Sequence, residues 1–344
     1  HQGGGVSVCQ LCAGREGSGQ RVLIMWQALI GLAVTVVVVR VIYRFRSGRF
    51  DSLTRLDGKT VIVTGSSAGI GKSAALDFAK RGARVILACR NLDKAGKVAD
   101  EIIKTSGNNN VEVQQLDTSD LSSVRRFADG ILKSEKRLDI LVNNAGIAGH
   151  HKREITKDGL EFTMATNYYG HFLLTNLLLG LLKKSAPSRI INVSSLMHTF
   201  CKKLDPEDLN FEKSSYLSIS AYNQSKLCNI LFTLELSNKL KGTGVTTNSL
   251  HPGVVATEIN AKAAGIIPVI VDILFQLMGK TCDMGAQTTI YLAVSDEVED
   301  VSGKYFVDCK EVECSELARH RGMAKKLWVA SELDVKLQED EMHY

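Results

Sequence analysis

The stretch Ile219–Asn229, ISAYNQSKLCN, places Tyr222 four residues before Lys226. On a helix that spacing puts both side chains on one face. Leu227, Ile230, Leu231 and Leu234 supply the core-facing stripe of such a helix. A tyrosine can give or take a proton, but its ordinary pKa is about 10. Lowering it by about two units requires about 2.7 kcal/mol of selective stabilisation of the phenolate. An ammonium one turn away can contribute to that. Alone, the pair is also a common accident of a helical surface, so its meaning rests on what the chain brings near it. Two groups precede it. The strand Arg189–Val193 runs into Ser194-Ser195, and a serine hydroxyl can hydrogen-bond a substrate oxygen as charge develops there. The apolar helix Thr163–Leu182 carries a polar residue, Asn167, in its body.

The elements that would position these groups begin upstream. The stretch LDGKTVIVTGSSAGIGKSAALDFAKRGARVILACRN, from Leu56 to Asn91, reads as one βαβ unit. Thr60–Val63 is a short β-branched strand, Ile70–Lys80 has helical spacing, Gly82 sits where a helix ends, and Arg84–Cys89 is a second apolar strand. Gly65, Gly69 and Gly71 punctuate the first turn. Glycines there let backbone approach a pyrophosphate closely, with a helix N-terminus aimed at it. An NAD site needs a carboxylate at the end of the second strand. This chain has Cys89-Arg90 instead, and an arginine holds a 2′-phosphate by charge-assisted bonds. The expected cofactor is therefore NADP(H). Further strands are expected at Val111–Leu116, ending in Asp117, at Leu138–Val142, followed by Asn143-Asn144-Ala145-Gly146, and at Val245–Leu250, followed by Pro252-Gly253. Alternating strands and helices with short connections predict a parallel sheet covered on both faces. The fold class is thus α/β, a Rossmann-type doubly wound sheet in a single catalytic domain over 56–344.

The spacing Gly65-x3-Gly69-x-Gly71 in TGSSAGIG, the NNAG motif, the double serine and Tyr222-x3-Lys226 occur in the order found in short-chain dehydrogenases/reductases, which the chain resembles. The long connection between Ser195 and Tyr222, with LACR, NNAGIA, GHFLLTNLLL, SAPSRIINVSS and GVTTNSLHPGVV, resembles the retinol dehydrogenase branch. The resemblance runs from about Leu56 to Leu333. It implies a catalytic tetrad of Asn167, Ser195, Tyr222 and Lys226. It implies cofactor contacts from Gly65, Ser67, Gly69, Ile70, Gly71, Arg90, Asp117, Asn144, Ala145, Gly146, Tyr222, Lys226, Pro252, Gly253 and Thr257. In that family the asparagine holds a water on a proton relay, the lysine binds the nicotinamide ribose, the acid at Asp117 binds the adenine amino group, and the Pro-Gly segment with its nearby threonine faces the carboxamide. By resemblance the second serine, Ser195, is the catalytic one, although the residues alone leave Ser194 open. Only the Ser66-Ser67-Ala68 turn departs from the branch's common Asn-Thr turn, and it puts no step in doubt. The implied activity is NADP(H)-dependent interconversion of retinol and retinal, favouring reduction. The same branch acts on lipid-derived aldehydes and ketosteroids. A membrane-tethered NADP-binding scaffold without turnover is the rival of another class, and the intact tetrad argues against it.

The 344 residues carry a net charge of +5, all of it from Arg15, Arg21, Arg40, Arg44, Arg46 and Arg49 against Glu16. The remainder is neutral and offers no footprint for nucleic acid. The 8 cysteines are scattered, and Cys9-Gln-Leu-Cys12 stands without a second pair, so reduced thiols and no metal site are expected. Residues 1–24 are Gly-rich and patternless, and the first methionine is Met25, so 1–24 reads as extraneous to the natural protein. From Val22 to Val39 the chain is almost wholly apolar and an arginine collar follows. About 20 such residues span a bilayer, so residues 25–50 read as a transmembrane anchor with a basic flank. The positive-inside rule then leaves the catalytic domain facing the cytosol. The endoplasmic reticulum is the expected membrane, and the acid-free stretch Gly17–Phe50 leaves a mitochondrial one open. Ala261–Leu277 is strongly apolar and reads as a cover over a lipophilic substrate. The expected partners are a retinoid or other lipophilic carbonyl compound and membrane lipid, with a homodimer left open.

Overall fold

The computed structural model describes residues 25–27, 30–31, 34–38, 40–45, 47–149, 152–255 and 279–344. The chain divides into two units, 1–47 and 48–344. In the first, residues 25–27, 30–31, 34–38 and 40–45 are helical, and Met25, Trp26, Ile30, Val34, Val37, Val41 and Phe45 are exposed. Among the described residues no helix is long and apolar enough to cross a membrane.

The second unit alternates strands and helices as β-branched runs and glycine turns dictate. Its elements are β1 (Thr60–Thr64), α1 (Gly69–Lys80), β2 (Arg84–Cys89), α2 (Leu92–Ser106), β3 (Val111–Gln115), α3 (Leu121–Ser134) and β4 (Ile140–Asn143). Then come α4 (Gly170–Lys184), β5 (Ser188–Val193), α5 (Ser218–Lys239), β6 (Val245–His251), α6 (Cys282–Val294), β7 (Tyr305–Val307), β8 (Lys310–Glu311) and α7 (Arg321–Asp334). The sheet order is β3-β2-β1-β4-β5-β6-β7-β8, parallel except for the last pair. Every residue of β1 and β4 is buried, as strands covered on both faces require. One apolar cluster joins the sheet to α3, α4, α5 and α7, and the other joins it to α1, α2 and α6. Strand order reverses between β1 and β4. In an open α/β sheet a ligand crevice lies outside the carboxyl ends of the strands at such a switch point.

The helix expected over Thr163–Leu182 is interrupted. A helical turn at Phe162–Met164 leads into a π-helical segment, Ala165–Tyr169, and only then into α4. Wider turns of this kind collect at functional sites, and Asn167 sits in the middle of this one. All five of its residues are buried. Gly170 lets it close against the β3–α3 connection, because a Cβ there would run into the Thr118 carbonyl.

His171, wholly buried, locks this turn to the sheet. Its Nε2 lies 2.9 Å from Thr64 Oγ1 and its Nδ1 lies 3.2 Å from the Asn167 carbonyl. Thr64 Oγ1 already accepts from the amides of Asn144 and Ala145, each at 2.9 Å. The Asn167 carbonyl can only accept, which places the imidazole proton on Nδ1 and leaves Nε2 to accept from Thr64, whose hydroxyl also lies 3.3 Å from the Val142 carbonyl. Burial pushes His171 down to about 4, the bond to the Asn167 carbonyl opposes this, and the charge of Lys226 adds to the fall. Burial, reinforced by Lys280, takes His251 to about 4 as well.

Two predictions follow from this packing. Gly170→Ala forces backbone against backbone and should destabilise the domain by about 2 kcal/mol or more, read as a fall in denaturant midpoint; a wild-type midpoint refutes the close approach. Both histidines protonate near 6.5 when unfolded but near 4 when folded. The unfolded chain therefore binds more protons in that window, so stability is full above pH 6.5 and falls as pH drops from 6.5 to 4. Calorimetry across that range should show Tm falling steadily, and less steeply in His171→Gln; parallel curves for the two proteins exclude the assignment.

Candidate active site

The carboxyl ends of β1, β4, β5 and β6 and one face of α5 bring the expected residues to one place. Lys226 is 3 % exposed and its Nζ donates to the Val193 carbonyl at 3.2 Å. It also lies 5.6 Å from the centroid of the Tyr222 ring. Among the described residues no carboxylate pairs with it, and burial alone takes it down to about 8. Burial raises the Tyr222 phenol above its ordinary value, and the neighbouring Ser195 hydroxyl opposes the rise. The expected lowering of this phenol rests on Lys226 together with the positive oxidised nicotinamide ring, and the protein without that ring leaves burial to raise it.

Ser195 and Ser194 part company. Ser194 is buried, its amide donates to Leu250 and its hydroxyl donates to the Lys226 carbonyl at 2.7 Å. Ser195, extended at φ −158° and ψ 156°, caps the short 3₁₀ helix Leu196–Phe200 by accepting from the Met197 amide. Asn167 clamps the segment after NNAG, with Oδ1 accepting from the Ile147 amide at 2.8 Å and Nδ2 donating to the Ile147 carbonyl at 3.0 Å. The same Nδ2 reaches Ser225 Oγ at 3.0 Å, and Ser225 donates to the Tyr222 carbonyl. A Cβ on Gly146 would lie 3.3 Å from Asn167 Oδ1 and 3.5 Å from Lys226 Nζ, so bare backbone separates the two. Thr64, His171 and Ser225, which join these pieces, were not singled out in the sequence. Each belongs to a residue type too common in turns and helices to stand out, and only their convergence marks them.

The glycine turn fits a dinucleotide. A Cβ on Gly71 would meet Asn144 Nδ2 at 2.5 Å and the Gly65 carbonyl at 2.8 Å. The first turn of α1 has no acidic residue, and its N-cap, Ala68, offers no side-chain acceptor. Its amides therefore remain for an anion. Ser66, by contrast, donates to Val63, leaving Ser67 and Ile70 half-buried at the turn. Arg90 is exposed at the end of β2, and no ion pair engages it among the described residues. Asp117 Oδ1 accepts from the amide and hydroxyl of Ser119 at 3.0 and 2.6 Å, so local bonds hold one of its two oxygens. Pro252 and Gly253 follow β6, where Gly253 packs on the stem of Lys280. Thr257 and the apolar stretch Ala261–Leu277 lie outside the described residues.

The chain matches the short chain dehydrogenase family over residues 59–204. It is 46 % identical over 291 residues to retinol dehydrogenase 13 of Mus musculus, covering 83 % of this chain and 86 % of that one. It is 46 % identical over 285 residues to retinol dehydrogenase 11 of Homo sapiens, covering 83 % and 88 %. The structure of an uncharacterised protein from Mycobacterium paratuberculosis superposes with a TM-score of 0.67 at 35 % identity, covering 83 % of this chain and 96 % of that one. A protein from Escherichia coli CFT073, complexed with NADPH, superposes at 0.59 with 25 % identity, covering 75 % and 99 %. The two-sided parallel sheet, the uncapped glycine turn and this degree of identity agree. The chain belongs to the short-chain dehydrogenase/reductase superfamily, in its retinol dehydrogenase branch, and is an oxidoreductase that works with a nicotinamide dinucleotide.

Proposed function

We propose that this protein is an NADP(H)-dependent enzyme interconverting retinol and retinal, favouring reduction of the aldehyde, with Tyr222 as the acid. The observation that carries it is a phenol packed beside a buried ammonium on one helix, in a chain nearly half identical to proteins named retinol dehydrogenases. Reduced nicotinamide, when bound, supplies a hydride to the carbonyl carbon. Ser195 donates a hydrogen bond to the substrate oxygen, and Tyr222 gives that oxygen its proton as charge develops there. The phenolate left behind faces Lys226, which also binds the nicotinamide ribose. Asn167 holds the backbone beside Lys226 and a water of the proton relay. A phenol whose pKa is raised starts protonated, which suits reduction.

Gly65, Ser67, Gly69, Ile70 and Gly71 hold the pyrophosphate, and Arg90 takes the 2′-phosphate that selects NADP(H). Asp117 binds the adenine, Asn144 to Gly146 line the cleft, and Pro252, Gly253 and Thr257 face the carboxamide. Support for a lipophilic substrate comes from Leu196, Phe200, Leu217, Ile219 and Val254, all exposed on the elements that carry Ser195, Tyr222 and Gly253. The exposed Met25, Trp26, Ile30, Val34, Val37, Val38, Val41, Ile42 and Phe45, with Arg40, Arg44, Arg46 and Arg49 at their C-terminal end, support a membrane anchor, in the endoplasmic reticulum or alternatively a mitochondrial membrane, with a catalytic domain over 56–344 on the cytosolic side.

The purified full chain, assayed with all-trans-retinal, a medium-chain aldehyde and a ketosteroid, should give its highest kcat/KM with retinal. NADPH should exceed NADH by about tenfold or more, the scale of one charge-assisted phosphate contact. Good turnover of another carbonyl without retinal turnover overturns the substrate, and NADH preference overturns the role of Arg90. Tyr222→Phe should lower kcat by at least about 10²-fold while the NADPH Kd stays unchanged; substantial residual turnover removes Tyr222 from the chemistry.

A further inference from the structure

Of the five residues in the 3₁₀ helix Leu196–Phe200, only His198 is buried, at 1 % exposure. Leu196 and Phe200 are 50 % and 62 % exposed. The turn that continues from Ser195 is therefore not held by apolar packing at its ends. It hangs on one polar side chain, and both nitrogens of that side chain are engaged. Nδ1 lies 2.7 Å from the Ser195 carbonyl, and the His198 amide reaches the same carbonyl at 3.2 Å. On the far side the Ser315 amide donates to Nε2 at 3.2 Å. A carbonyl can only accept and an amide N–H can only donate, so the proton sits on Nδ1. The ring packs edge-on against Tyr305, with centroids 5.0 Å apart. Tyr305 begins β7, whose carbonyl at that residue accepts from Val312 on the way to Ser315.

We propose that His198 is a positioning residue for the reaction, holding the peptide of Ser195 to the backbone of Ser315 and so aiming the Ser195 hydroxyl at the substrate oxygen. This rests on the reading of Ser195 given above. The Ser195 hydroxyl accepts from the Met197 amide, inside the same turn. If the turn rotates, the hydroxyl follows it and loses its aim at the substrate oxygen. Misplacement on the order of 1 Å at a reacting centre can cost about 10²-fold in rate. Ser315 is more than a hundred residues away in the chain. A backbone position in the C-terminal segment thereby sets the geometry of the catalytic serine.

Three variants separate this from a merely structural role. His198→Phe keeps the ring against Tyr305 and loses both hydrogen bonds. His198→Asn keeps a donor where Nδ1 was, and His198→Gln keeps an acceptor where Nε2 was. With retinal and NADPH, His198→Phe should lower kcat by about 10- to 100-fold while the NADPH Kd moves less than about twofold. His198→Asn should recover most of that loss and His198→Gln little of it. In a Ser195→Ala background the His198→Phe penalty should vanish, because the two act through one hydroxyl. Equal rates for the Asn and Gln variants, a full penalty in the Ser195→Ala background, or a His198→Phe kcat within twofold of wild type overturns the proposal. Should His198→Phe fail to fold, the Asn and Gln pair decides it. Unchanged turnover in Ser195→Ala alone is a different result, and it refutes the role of Ser195 itself.

Discussion

The site is organised around a buried lysine ammonium that, among the described residues, has no counter-ion. Lys226 is 3 % exposed, and its Nζ is held by one backbone carbonyl and the face of one phenol ring. Removing an unpaired charge from water costs several kcal/mol, and burial accordingly draws this group down to about 8. At neutral pH it still carries most of its charge. Groups that tolerate a cation lie beside it: the Val193 carbonyl that accepts its hydrogen bond and the bare backbone of Gly146. The same field helps keep His171 and His251 neutral. A ligand rich in hydroxyl acceptors suits such a place, and a buried carboxylate in the wall would have cancelled it.

Holding that arrangement requires the strand ends to emerge at fixed heights, and a buried polar ladder sets them. Asn143 and Asn192 are register partners on β4 and β5, and the Asn143 amide donates to Asn192 at 2.8 Å. Asn143 also donates to Thr175 on α4, and Asn192 donates to Thr233 on α5 and Thr247 on β6. In a dry interior these bonds cannot be exchanged for water, and a slip of one residue would leave several amides unpartnered. The ladder lies directly below Val193, Ser194 and Ser195, so it determines where the Lys226 acceptor and both serines appear.

Much of this was readable in advance. The strands at Thr60, Arg84, Val111, Arg189 and Val245 announce themselves through β-branched and apolar runs; the structure keeps Arg84–Cys89 as expected and moves one end of each of the others by a single residue. The strand expected at Leu138 begins at Ile140, because the Leu138 amide is held by the Ser185 hydroxyl instead of by a neighbouring strand. Alanine, threonine, asparagine and tyrosine carry no mark of a π turn, so Ala165–Tyr169 reads as ordinary helix. β7 and β8 are too short to show a period. His198 and His171 looked unremarkable because their roles depend on which carbonyls and amides meet them, and those partners lie three to more than a hundred residues away. Spacing along a helix shows that a cation is near, but it does not show how much water both groups lose.

Helix ends show where local rules give way to the site. Asn91, Asp120, Thr281 and His320 cap α2, α3, α6 and α7 with side-chain acceptors. Among the separately started long helices of the described residues, α1 and α5 have no such cap, opening instead from Ala68 and Leu217. A missing cap forgoes on the order of 1 kcal/mol. One of these two helices starts at the glycine turn, and the other carries Tyr222 and Lys226 within its first turns. Sequences that specify a fold keep such rules elsewhere and break them where a ligand completes the structure. At α1 no side chain competes for the first-turn amides. At α5 the exposed Leu217 and Ile219 stand where a polar cap would otherwise be, and they leave the approach to Tyr222 apolar.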